Sequence, residues 1–166
     1  MSQATDLIVD FAAEVSNTRK LLEAVPEGQL DWKPHQKSSS LAALAGHIAE
    51  TPNWLGTMLE DEMDFAAMTD YVPFVPTTKA ELLEAFEQGA AAFAAPLEGQ
   101  DDAFMSATWT MRKEDQVLMQ APRGQLMRSI LLHHLIHHRG QLTVYLRMLN
   151  VPVPATYGGS ADEPMF

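Results

Sequence analysis

The sequence predicts an all-α protein, a four-helix bundle with long loops and an extended C-terminal tail. Apolar residues recur at steps of three and four along several long stretches, and no convincing alternation of strand-like and helical segments suggests a parallel sheet. With 166 residues the chain is one domain's worth, so residues 1–166 are expected to form a single bundle domain.

The first helix follows from Leu7, Phe11, Val15, Thr18, Leu22 and Val25, a single stripe over about 5–25 that Pro26 and Gly28 terminate. Ser38 to Ser40 offer an N-cap to a second helix over about 39–60, whose inward stripe reads Ala43, Leu44, His47, Thr51, Trp54 and Met58. Pro52 removes a backbone donor within it and crowds the preceding turn, so a kink or an early break is expected there. Residues 61–76 mix acids, aromatics and two prolines without a period and are expected to be a loop.

The spacing of Thr78 and Glu81 fits a capping box opening a third helix over about 78–98, with Leu82, Phe86, Ala90, Phe93 and Leu97 inward. Residues 100–121 place apolar pieces on either side of Lys113-Glu114-Asp115, a pattern open to a short hairpin or an irregular loop. Pro122 suits the first turn of a last helix running to about Asn150, some 28 residues or roughly 42 Å.

Charge narrows the function. Eleven Lys and Arg against 22 Asp and Glu give a net charge of −11, which opposes binding to nucleic acid or anionic membrane. The chain has no cysteine, which excludes disulfides, a thiolate metal site and a cysteine nucleophile. No apolar run approaches the roughly 20 residues of a membrane span, and acids stand where a signal peptide needs bases. A cytoplasmic location is the expectation.

Four of the six histidines fall in one short run of the last helix, as two i,i+4 pairs: His133 with His137, and His134 with His138. Either pair can direct two imidazoles to one side and grip a cation, and periodicity favours His134 and His138 only slightly. His47, on the inward stripe of the second helix, is positioned to supply a third ligand across the bundle. Three neutral imidazoles would leave a coordination position open for water or substrate.

Three blocks, WKPHQKSSSLAALAGHIAE at 32–50, HHLIHHRGQLTVYLRML at 133–149 and VPVPATYGGSADE at 151–163, resemble the DinB/YfiT-like superfamily of bacterial four-helix proteins in order and spacing. That superfamily is unrelated to the translesion polymerase of similar name. The resemblance implies a divalent metal held by one histidine of the second helix and two of the HxxxHRGQ segment, here His47, His134 and His138. His133 and His137 take no assigned role. The tail reads Tyr157-Gly158-Gly159-Ser160 where the family often has YGPS.

The resemblance also implies a function, transfer of a low-molecular-weight thiol such as bacillithiol or mycothiol to an electrophilic small molecule, and a homodimer. Imidazole suits zinc or nickel first, with iron or copper as alternatives. A bound divalent ion would make thiolate available near neutral pH. Glu50, one turn beyond His47, is a candidate catalytic residue, either bonding a ligand imidazole or accepting a proton. Trp54 and Tyr145 share faces with the histidines and are candidate cavity walls, whereas Arg139 is turned away and fits an inter-helix ion pair. The competing expectation is a noncatalytic metal-binding stress-response module.

Overall fold

The computed structural model describes residues 2–165. Four helical segments build the core. α1 (Gln3–Glu23) opens on Ser2, whose hydroxyl accepts from the Thr5 amide, and buries Leu7, Phe11, Leu21 and Leu22. α2 (Leu41–Glu50) opens on Ser40, the last of the three serines, which accepts from the Ala43 amide at 3.1 Å. It stops where Pro52 requires and continues as a 3₁₀ turn over Thr51–Met58. α3 (Lys79–Ala92) opens on Thr78, and the Glu81 carboxylate reaches back to the Thr77 amide at 2.8 Å rather than to that of Thr78. α1 packs on α3 and on the end of the last helix, α6 (His134–Met148), and α2 packs on the same two helices. Phe11 and Phe93 stack across this core with ring centroids 3.7 Å apart.

The all-α expectation is corrected by a three-stranded mixed sheet, β1 (Glu62–Asp64), β2 (Thr108–Lys113) and β3 (Gln116–Pro122), in that order. β2 and β3 form an antiparallel hairpin around Glu114, whose φ is 52°. β1, inside the segment expected to be a loop, pairs with β2 in parallel, Met63 opposite Met111. The physical reason for the difference is local. β1 has three residues, too few to show a period, and it is held by Arg112, which bonds Glu62 at 2.8 Å and Asp64 at 2.5 Å across the strands. Only a partner 48 residues away makes Glu62-Met63-Asp64 a strand.

A short helix, α4 (Asp102–Ser106), leads into the hairpin. The last helix begins at Arg123 and has three parts: α5 (Arg123–Met127), a π-helical turn over Arg128–His133, and α6 (His134–Met148). Arg123, 2% exposed, donates to the Phe104 and Glu60 carbonyls and to Asp61, tying this helix start to α4 and to the approach to β1. Asn150, at φ 57°, turns the chain into the tail. The tail is docked: the Tyr157 hydroxyl accepts from Arg139 and donates to Glu14 at 2.6 Å. Arg139 is 2% exposed and pairs with Glu14 at 2.5 Å, an ion pair between α6 and α1. Among the described residues no helix is long and apolar enough to cross a membrane.

Candidate metal centre

α2 and α6 bring together three histidines that are far apart in the chain. One ring nitrogen from each of His47, His134 and His138 lies within 4.8 Å of the others. His47 Nε2 is 2.8 Å from His134 Nε2 across 87 residues of sequence. All three side chains are half-buried, whereas His133 and His137 are exposed. The pair that periodicity separated only slightly is resolved by packing, since Leu135, Arg139, Leu142 and Leu146 bury the core side of α6 and leave His134 and His138 facing α2. The π turn just before His134 explains the ambiguity. It widens the helix by its i→i+5 bonding, so one α-helical wheel drawn through 122–150 mixes two phases.

Imidazole nitrogens around a tetrahedral ion at about 2.0–2.1 Å are spaced by roughly 3.3–3.4 Å. A cluster within 4.8 Å, with one pair at 2.8 Å, matches that span, so the three histidines form a group able to hold a divalent metal. Their protonation agrees. Burial, with the neighbouring His138, His47 and His137, pushes His134 down to about 4. Burial also lowers His138, against a raising hydrogen bond with Gln141. Both rings are neutral at pH 7, as coordination requires.

Two polar residues orient the rings. Glu50 lies behind His47, with Oε1 3.3 Å from Nδ1, and Gln141 Oε1 lies 2.7 Å from His138 Nδ1. A donor Nδ1–H at each contact leaves Nε2 as the available lone pair. Glu50 is 8% exposed and also accepts from the Tyr71 hydroxyl at 2.9 Å and the Phe74 amide at 3.1 Å. Burial raises its pKa, but the bonds from His47, Phe74 and Tyr71 outweigh that and hold the carboxyl below its ordinary value. Burial and the Glu50 carboxylate push the Tyr71 phenol up to about 12, so it stays a donor.

The segment carrying Tyr71 and Phe74 crosses α2 at Gly46. A Cβ there would lie 2.2 Å from the Phe74 carbonyl oxygen and 2.7 Å from Pro76, so the close crossing beside His47 needs glycine. Neither Tyr71 nor the Phe74 amide was legible as a partner of Glu50, because 21 and 24 residues separate them with no periodic signal. Gln141 carried a signal, its i,i+3 spacing from His138.

Two cavities meet the triad. One, about 530 Å³, is bordered by His47, His134 and Trp54 and is otherwise walled mainly by methionine and aromatic side chains from the 59–73 connection and the sheet. The other, about 670 Å³, is bordered by His47, His138, Gln141 and Tyr145 and by Lys37, Ser38 and Ser39. Trp54 and Tyr145 therefore both line cavities at the histidines, but different ones.

The DinB family profile matches residues 1–164. The chain belongs to the DinB family. Its relatives include the Bacillus subtilis (strain 168) protein YrdA, 27% identical over 155 residues, 90% of this chain and 85% of that protein. Among solved structures, a DinB-like protein from Bacillus cereus ATCC 10987 superposes with a TM-score of 0.67 at 21% identity, over 91% of this chain and 95% of that one. The DinB-like YjoA of Bacillus subtilis gives 0.68 at 18% identity, over 91% and 97%. A mycothiol-dependent maleylpyruvate isomerase gives 0.50 at 13% identity, over 91% of this chain and 64% of that one. These likenesses establish a DinB-like fold for the chain.

Proposed function

We propose that this DinB protein is a metal-dependent S-transferase that adds a low-molecular-weight thiol to an electrophilic small molecule. The observation that carries the reading is the meeting of two differently lined cavities at three clustered histidines. A divalent ion held by His47, His134 and His138, zinc or nickel ahead of iron or copper, would lower the pKa of a thiol and make thiolate available near neutral pH.

The chain's own residues supply the rest. Glu50 and Gln141 fix His47 and His138 with Nε2 forward. Glu50 acts as a positioning residue, since both of its oxygens already accept hydrogen bonds. Lys37, Ser38, Ser39 and Gln141 give the larger cavity donors and acceptors for a polar thiol, and Trp54 gives the smaller one an apolar wall beside the histidines. With no cysteine in the chain, the sulfur nucleophile must come from outside. The structural likeness to a mycothiol-dependent enzyme supports the thiol class.

The test offers metal-loaded protein bacillithiol, mycothiol or glutathione with a chloro-substituted aromatic acceptor. In conjugation an S–C bond forms, C–Cl breaks, chloride leaves and the thiol proton passes to solvent. Conjugation above a His47→Ala control is expected with at least one thiol. None above control would replace this reading with a noncatalytic metal-binding module.

A further inference from the structure

We infer that the 530 Å³ chamber is a binding site for an uncharged, apolar small molecule, held against the His134 side of the triad. Calling that molecule the acceptor substrate rests on the transferase reading. The binding itself does not.

Size and lining carry the inference. Small-molecule sites run from about 300 to 1,000 Å³, whereas packed cores contain few voids larger than a water molecule. The chamber is therefore no packing defect. Phe65 and Met119 on its wall are 43% and 41% exposed, so it opens to solvent. Five of the ten methionines line it: Met58, Met63, Met68, Met111 and Met119. Unbranched, polarizable thioethers fit themselves around ligands of varied shape, which suits a family of apolar compounds rather than one.

Charge selects further. No Lys, Arg, Asp or Glu is among the described residues lining the chamber, although the chain has 33 such residues, 11 basic and 22 acidic. The Tyr71 hydroxyl on its wall already donates to Glu50. In the metal-free protein, a carboxylate or sulfonate entering would lose its hydration without gaining a cation from the chamber wall. At the inner end, the Trp54 ring meets His47 and His134 edge-on, at centroid distances of 5.0 and 5.4 Å, so an apolar ligand reaching that end stops beside the imidazoles. Lys37 and the two serines lie in the other cavity, which leaves the polar reactant the opposite side.

The experiment titrates the protein, with and without added zinc, against N-phenyl-1-naphthylamine and against its sulfonated analogue 8-anilino-1-naphthalenesulfonate. Both are followed by fluorescence in about 0.5 M salt, where the Debye length of roughly 4 Å screens the chain's negative charge. The neutral probe is expected to bind the metal-free protein at least about tenfold more tightly, and to keep binding when zinc is added. Met119→Glu, on the chamber wall, should weaken it by about tenfold or more, and Val144→Glu, on the other cavity, by less than about twofold. If Met119→Glu loses native helicity, Ile130→Trp replaces it, filling the chamber, with the same expectation.

Equal binding of the two probes to the metal-free protein, or equal effects of the two sites' variants, would overturn the inference. Its failure differs from that of the transferase reading. Neutral-probe binding without conjugation by any thiol sinks only the transferase, whereas conjugation of anionic acceptors without probe binding sinks only the chamber.

Discussion

Tyr71 donates its phenol proton to the same Glu50 oxygen, at 2.9 Å, that faces Nδ1 of His47 at 3.3 Å. The covering segment over the chamber and the histidine cluster are therefore one hydrogen-bonded unit, His47–Glu50–Tyr71. Carboxylates in this position fix the tautomer and direction of an imidazole, and losing one typically costs 10- to 100-fold in metal affinity.

Glu50→Gln should accordingly weaken zinc binding by about 10- to 100-fold, and Tyr71→Phe by less, because the Phe74 amide still holds the carboxylate. Competition against a chromophoric chelator reads both. Wild-type affinity in Glu50→Gln would remove the orienting role.

His138→Ala removes one of the three clustered nitrogens and should reduce zinc retained after dialysis to a small fraction of one per chain. His133→Ala should retain it, since that ring is exposed and outside the cluster. Elemental analysis decides, and equal loss in both variants would break the assignment.

Stability of the metal-free protein should fall with acid in two windows. His134 sits at about 4 when folded against 6.5 unfolded, so between those values the unfolded chain binds the extra proton and stability drops as pH falls. Glu50, held below its ordinary 4.5, adds a second loss below that pH as it takes up a proton through its folded value. Urea unfolding from pH 7 to 4.5 samples the first window alone. His134→Gln should make the slope there shallower, leaving the share that the lowered His138 contributes, and an unchanged slope would count against a buried neutral His134.

Gly46→Ala puts a methyl group 2.2 Å from the Phe74 carbonyl oxygen, too close for backbone to absorb without moving. A destabilisation of about 1–3 kcal/mol is expected, together with weaker zinc binding as the Phe74 amide leaves Glu50. Unfolding midpoints and the chelator assay test the two effects separately.

The helices were legible because their signals are local: an apolar stripe, serines and a threonine at N-caps, and a proline after Glu50. The i,i+4 spacing offered two histidine pairs, and the set His47, His134 and His138 followed from the family resemblance. The sheet was not, because Glu62-Met63-Asp64 gains its conformation from Arg112 and a parallel partner in the second half of the chain. Val117-Leu118-Met119 is a continuous apolar run on an exposed strand, where no alternation marks the buried face. The chamber was hidden for the same reason. Its methionines come from the 3₁₀ turn, the stretch after β1 and all three strands, and only the fold gathers them.

β1 is three residues long and joins the body through a few ladder bonds and two ion pairs of Arg112, of which the exposed one, to Glu62, is weak. In amide-exchange terms, β1 and the following stretch to Phe74 are expected to open at a lower free energy than α2 and α6. Such opening would widen the chamber's mouth and take the Tyr71 and Phe74 donors from Glu50 in the same event. Coupling of this kind is reciprocal, so an ion that steadies His47 also slows exchange in the covering segment, and a molecule trapped beneath it tightens the grip on the ion.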